Sequence, residues 1–176
     1  ISRADALLIG PGLSREAETL ALAADVVKTS SVPLVIDADA LRPEIVAAGN
    51  APRILTPHAG EFTRLAGERS LADFSQETNA VTVLKGSLTR VAAAGDVFVS
   101  LSGGPVLARG GSGDLLAGMC GALLAAGPGE PLQAAAQAVV WHGRAADALA
   151  CERGQVAVRI TEFLEFLPVV LREGKT

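Results

Sequence analysis

Residues 32–41 read VPLVIDADAL, a short apolar run holding Val32, Val35 and Ile36 that closes on Asp37 and Asp39. Apolar residues at consecutive positions, rather than at every second one, predict a strand buried on both faces, as inside a parallel sheet. The carboxylates then fall at the strand's C-terminal end. The pattern recurs on either side. Upstream, DALLIG (5–10) is a second apolar strand ended by the GPG turn. SREAETLALAADVVKT (14–29) comes after it, with Ala17, Leu20, Ala21, Ala24 and Val27 at helical spacing and Ser14 placed as the cap. Downstream, PRILTPHAGEFTRLAG (52–67) is a strand, a Pro-containing turn and a helix from about Glu61. A more polar helix is expected over 70–79.

Three β-rich segments come next, VTVLKG (81–86), TRVAAA (89–94) and DVFVSL (96–101), with AAGD as a hairpin turn between the last two. GGSGD (110–114) opens a helix that is apolar nearly all round. PLQAAAQAVVWHGRAADALACERG (131–154) and ITEFLEFLPVVLRE (160–173) are the last two helices. Strand and helix alternate through the first half. The expectation is a single α/β domain, a mainly parallel central sheet flanked by helices in three layers, with a small β-hairpin element. Ligands of such folds gather at the C-terminal ends of the strands. GPG, DADA, TPHAGE, KGSLT and GGSGD all fall there.

The 176 residues carry a formal net charge of −4 and are 49% hydrophobic but only 3% aromatic, so Ala, Val and Leu must fill the core. Mild acidity argues against a nucleic-acid or membrane surface, both of which need clustered Lys and Arg. The longest apolar stretch, 115–127, is too short to span a bilayer. Without a signal peptide pattern, a cytoplasmic location is expected. Cys120 and Cys151 match no metal or redox spacing and read as buried free thiols.

GGSGD is the stretch that most clearly carries chemistry. Glycines let a ligand approach main-chain N–H groups, and a helix N-terminus favours an anion, phosphate above all. Asp114 beside such a site would repel phosphate unless it serves as a base toward an attacking hydroxyl. Alternatively it merely caps the helix. No Lys-Ser/Thr comes after the glycines, so this is not a Walker A loop.

Taken together and in this order, GPG, DADAL, LTPHAGE, VLKGSLT and ARGGSGDLLAG, with AVVWHG and the closing EFLEFLP, resemble the ADP/ATP-dependent NAD(P)H-hydrate dehydratases of the ribokinase-like superfamily. That resemblance runs from about Asp5 to Pro168. It implies phosphorylation of the hydroxyl of hydrated NADH or NADPH by ADP or ATP with Mg²⁺, then loss of phosphate. It also implies roles. Asp114 is the base, with Gly111, Ser112 and Gly113 forming the hole for the phosphoryl group. Lys85, Gly86, Ser87, Leu88 and Thr89 hold the nucleotide together with Gly113. Gly12 and His58 contact the hydrated cofactor alongside Asp114. Asp37 and Asp39 can stand near Mg²⁺ or phosphate and Glu61 can serve the metal through water, with no direct metal ligand assigned. A homo-oligomer and an NAD(P)HX epimerase, fused or separate, are expected.

Plainer readings stand beside these. Lys85 can be a solvated strand-end lysine, His58 a surface turn residue, and Asp37 and Asp39 loop hydrogen-bonders. Glu61 can simply favour its helix N-terminus, Arg109 flanks the anion hole and can touch phosphate or equally lie in solvent, and Trp141 and His142 fit a core or interface. Two departures from the family are visible. SLSGGP (100–105) replaces a frequent Asn-Pro-Thr-Gly-Asn, so Asn gives way to Gly104, and Ala59 replaces a frequent proline. Family members also carry strands and helices ahead of GPG, so the chain, which opens without Met, is expected to be the C-terminal portion of such a domain. A related sugar or vitamin-precursor kinase is the first alternative function. A nucleotide-binding module without turnover is the second.

Overall fold

The computed structural model describes residues 3–127 and 130–173. Six strands stand side by side in chain order: β1 (Leu7–Ile9), β2 (Leu34–Ile36), β3 (Arg53–Leu55), β4 (Val81–Leu84), β5 (Arg90–Ala93) and β6 (Asp96–Val99). β1 to β4 are parallel, and β5 and β6 extend the same sheet as antiparallel strands. The hairpin between β5 and β6 turns at Ala94 and Gly95, at φ +50° and +91°. Positive φ at both positions is what a two-residue turn needs to match the strand twist.

Strand order explains the layers. Crossovers between parallel strands are right-handed, so four strands laid down in one direction put every connecting helix on one face. α1 (Ala17–Thr29), α2 (Pro43–Val46), α3 (Ala59–Ala66) and α4 (Leu71–Thr78) cover that face. There Val27, Ile45, Leu65 and Phe74 pack on Leu34, Ile36 and Leu55. The opposite face is left to the helices that come after the hairpin, α5 (Ser112–Ala126) and α6 (Pro131–Arg153). Val35, Ile54, Val83 and Val91 meet Leu116, Cys120, Leu124 and Ala135 on that side. Successive strand residues thus serve opposite cores, which is why the strand sequences are apolar without alternation. α7 (Phe163–Glu173) lies against α6, with Phe163, Phe166 and Val170 on Ala145, Ala146 and Leu149.

Several expectations are corrected. Among the described residues DALLIG lies at the edge of the sheet and is not fully buried, with Leu8 42% exposed. The DADA segment leaves the strand early and winds into a 3₁₀ turn at Ala38–Ala40. Ser14 does not cap α1. It takes φ +78°, and its hydroxyl accepts from the Glu16 N–H, while Glu16 occupies the cap position. Cys120 is buried as expected, but Cys151 lies in the last turns of α6 and is exposed. The helix from about Glu61 starts at Ala59. No described helix is long and apolar enough to cross a membrane.

Arg53 on β3 is buried, yet no carboxylate pairs with it among the described residues. Its guanidinium donates instead to four carbonyls, those of Val46 (2.6 Å), Ala48 (2.7 Å), Gly49 (2.8 Å) and Ala51 (3.0 Å). One side chain therefore closes the loop that carries the chain from α2 into β3. Arg53→Met retains the apolar stem but orphans these carbonyls. It is expected to cost about 3 kcal/mol, read as a lower urea midpoint at constant slope.

Candidate active site

The first turn of α5 is built from glycines. Gly111 is its cap at φ +87° and offers no side chain to fill the turn. The Ser112 N–H donates back to the Arg109 carbonyl, and Leu115 N–H is the first to reach Gly111. Between them the N–H groups of Gly113 and Asp114 have no partner among the described residues. Unpaired N–H groups at a helix N-terminus favour an anion. The Asp114 carboxylate is exposed and forms no bond back to the cap, so the capping alternative is not realised.

Beside this turn lies a cleft of about 710 Å³. One wall is His58 with Lys85, Gly86, Ser87 and Thr89, and another is Ser112, Gly113, Leu116 and His142 from α5 and α6. The remaining wall is the loop through Ser102, Gly103 and Gly104. That loop is clamped to α6. Asp147 accepts from the Gly103 N–H through both oxygens, at 3.1 and 3.0 Å. Gly143 lets Ser102 approach so closely that a Cβ would sit 2.6 Å from the serine Cβ.

Lys85 comes directly after β4, and its N–H bonds to the Pro57 carbonyl, so the β3–β4 ladder continues to the site. Its ammonium is not simply in solvent. It donates to Asp37 Oδ1 at 2.9 Å, with side-chain exposures of 22% for Lys85 and 2% for Asp37. A Cβ on Gly113 would lie 3.3 Å from the Lys85 Nζ, so the lysine runs under the first turn of α5.

His58 caps α3. Its Nδ1 accepts from the Glu61 N–H at 3.2 Å, and Glu61 Oε2 accepts from the His58 N–H at 2.8 Å. This reciprocal box satisfies two helix-end donors and leaves the ring more than half exposed toward the cleft. Glu61 is thereby engaged. Asp39 is engaged as well, accepting from Arg15 Nε at 2.9 Å. Among the described residues no group of three or more His, Cys, Asp or Glu could hold a metal ion. Arg109 is half-buried, and its guanidinium is turned to main-chain carbonyls rather than to the anion hole. It donates to the carbonyls of Pro105, Val106, Gln155 and Val156, tying the loop before α5 to the segment after α6.

His142, read from the sequence as core or interface, is buried and also lines the cleft. Its Nε2 lies 3.1 Å from the Ser112 carbonyl oxygen, which can only accept, so the proton sits on Nε2. Burial lowers its pKa to about 4, against the smaller opposing effect of that hydrogen bond. The unfolded chain binds this proton near pH 6.5. Stability is therefore full above pH 6.5 and is lost as pH falls toward 4, by up to about 3 kcal/mol. Urea unfolding at pH 7 and pH 4.5 should show this loss, and His142→Gln should flatten it.

The cleft thus joins His58, Lys85, Gly86, Ser87, Thr89, Ser112 and Gly113 among the residues singled out from sequence. Gly12, Asp39, Glu61, Leu88, Gly111 and Asp114 lie outside its lining. Sequence reading missed Asp147 and singled out SLSGGP (100–105) only as a departure from the family, whereas Ser102, Gly103, Gly104 and Pro105 line the cleft; it also left the partner of Asp37 undetermined. A histidine with a glutamate three positions later is the signal from which the His58 box was legible.

A family model described as NAD(P)H-hydrate dehydratase matches residues 1–168. A bifunctional NAD(P)H-hydrate repair enzyme of Moorella thermoacetica is 39% identical over 189 aligned positions, covering 98% of this chain and 35% of that protein. The chain therefore spans about a third of the length of the curated relatives it matches. An ADP/ATP-dependent NAD(P)H-hydrate dehydratase of Bacillus subtilis, co-crystallized with ATP/Mg²⁺ and soaked with CoA, superposes with a TM-score of 0.86. Identity there is 32%, covering 98% of this chain and 68% of that one. A ribokinase-like superfamily protein of Enterococcus faecalis gives a TM-score of 0.83 at 29% identity, covering 97% and 64%. The fold is ribokinase-like.

Proposed function

The chain belongs to the NAD(P)H-hydrate dehydratase family, and from that premise we propose that its site returns hydrated NADH and NADPH to the reduced cofactors with ADP or ATP as phosphoryl donor. The unpaired N–H groups of Gly113 and Asp114, with an unbonded carboxylate in the same helical turn, carry this reading. The nucleotide lies in the cleft along Lys85–Thr89, its terminal phosphate toward α5. Asp114 takes the proton of the substrate hydroxyl, whose oxygen attacks that phosphate and releases the shortened nucleotide. The free N–H groups stabilise the charge on the transferring group. The phosphorylated carbon then loses phosphate and its neighbour a proton, which restores the ring double bond. His58 and Gly12 contact the hydrated cofactor.

Asp39 and Glu61 are engaged, and among the described residues no carboxylate cluster forms a cage for Mg²⁺. Mg²⁺, bound mainly through phosphates and water, would neutralise phosphate charge. An NAD(P)HX epimerase, fused or separate, is the expected partner activity, supported by relatives whose names call them bifunctional. The test incubates the protein with hydrated NADPH, Mg²⁺ and either ADP or ATP and tracks dihydronicotinamide absorbance. Recovery that requires nucleotide supports the dehydratase. A stable phosphorylated product with no recovery identifies a kinase instead.

A further inference from the structure

Asp37 lines no part of the cleft, yet it is the partner of the one lysine that does. The two are 48 residues apart and sit at the ends of β2 and β4, with β3 between them. Thr56, at the end of β3, has a buried hydroxyl with no partner among the described residues and takes no share of the ammonium. The pair therefore bridges three strands to bring a cation under the first turn of α5. On electrostatic grounds that placement is wrong for an empty helix. A cation is disfavoured at a helix N-terminus, where unpaired N–H groups already present positive charge. Adding an anion reverses the sign, because helix end and ammonium then attract the same phosphate.

We infer that Asp37 is a positioning residue: it fixes the Lys85 ammonium against Gly113, so that lysine and helix terminus act as one phosphate-binding unit. The inference rests on the proposed nucleotide-dependent function. Asp37 acts here through Lys85. Four rotatable bonds would otherwise let the ammonium leave for solvent. The carboxylate also compensates the cation while no phosphate is bound. A competing effect has the opposite sign, since removing a negative charge raises the local positive potential. Anchoring outweighs it in this arrangement, because Asp37 is sealed from the cleft and Lys85 is not.

The test is a double-mutant cycle on the whole protein, reading ADP affinity by calorimetry in Mg²⁺ beside the dehydration assay. Asp37→Asn is expected to weaken ADP binding about tenfold and to raise the KM for nucleotide, leaving the KM for hydrated NADPH unchanged. Lys85→Met should weaken ADP at least as much, and Asp37→Asn in that background should add nothing. ADP bound by Asp37→Asn as tightly as by the wild type, or tighter, overturns the inference. So does additivity of the two losses, or a lower Tm with unchanged affinity. A coupled loss of ADP binding in a protein that never restores NADPH supports the inference and sinks the dehydratase reading alone. Restored NADPH with Asp37→Asn affinity unmoved does the reverse. A wild type that binds no ADP overturns both.

Discussion

Asp114→Asn is expected to lower nucleotide-dependent dehydration roughly 10²- to 10⁴-fold while the protein stays folded and still binds nucleotide. The magnitudes separate the two roles open to this residue. If Asp114 only favoured the N-terminus of α5, its replacement would cost about 0.3–1 kcal/mol of stability and nothing in turnover. It makes no bond back to the cap, so asparagine removes no hydrogen bond and retains the shape. A base removed from phosphoryl transfer costs about 3–5 kcal/mol of barrier on the general acid–base scale, well above the helix effect. ADP affinity should hold or improve, because a negative charge beside the phosphate site is gone. The experiment measures kcat for NADPH recovery, the urea midpoint and ADP affinity on one preparation. Turnover within threefold of wild type would remove Asp114 from the chemistry.

The range of each interaction decides how far it is legible in the sequence. Apolar runs ending in Gly, Asp or Lys identify the strands and place their functional residues at one end, since both signals lie within ten residues, although the run alone did not separate the half-exposed β1 from the buried β2. Asn79 at φ +48° closing α4 and the Ala94-Gly95 turn are equally local. The Asp37–Lys85 pair was not legible, because its meaning depends on β2 and β4 flanking β3. The contact of His142 with Ser112 likewise needs α6 folded back on α5. Arg109 misled for a related reason: an arginine beside an anion hole suggests phosphate, whereas its partners include a carbonyl 46 residues away. Ser14 misled in the opposite way, since the cap position falls two residues later, at Glu16.

The two glycines of GPG should behave as different kinds of residue, and the structure sets the size of the difference. Gly10 stands at φ +125°, and a Cβ there would lie 1.7 Å from the Asp37 carbonyl oxygen and 2.8 Å from its carbon. Neither atom is the end of a flexible side chain. Relief requires moving the turn after β2, whose Asp37 N–H is bonded to the Ile9 carbonyl at 3.0 Å. Backbone strain and overpacking together put Gly10→Ala at roughly 3–6 kcal/mol, a large share of a domain's stability. Because the atom struck belongs to Asp37, variant protein that still folds should also bind ADP more weakly. Gly12 stands at φ +66° with nothing within 4 Å of a Cβ. Gly12→Ala therefore carries only the left-handed backbone cost, about 1–2 kcal/mol, and remains folded. If Gly12 contacts the hydrated cofactor, that variant loses affinity for NADPHX while keeping ADP affinity. Thermal melts of both variants, with ADP calorimetry and KM for each substrate, decide the assignment. Equal Tm losses would show that the close approach at Gly10 relaxes freely, and the rigid seating of Asp37 would fall with it.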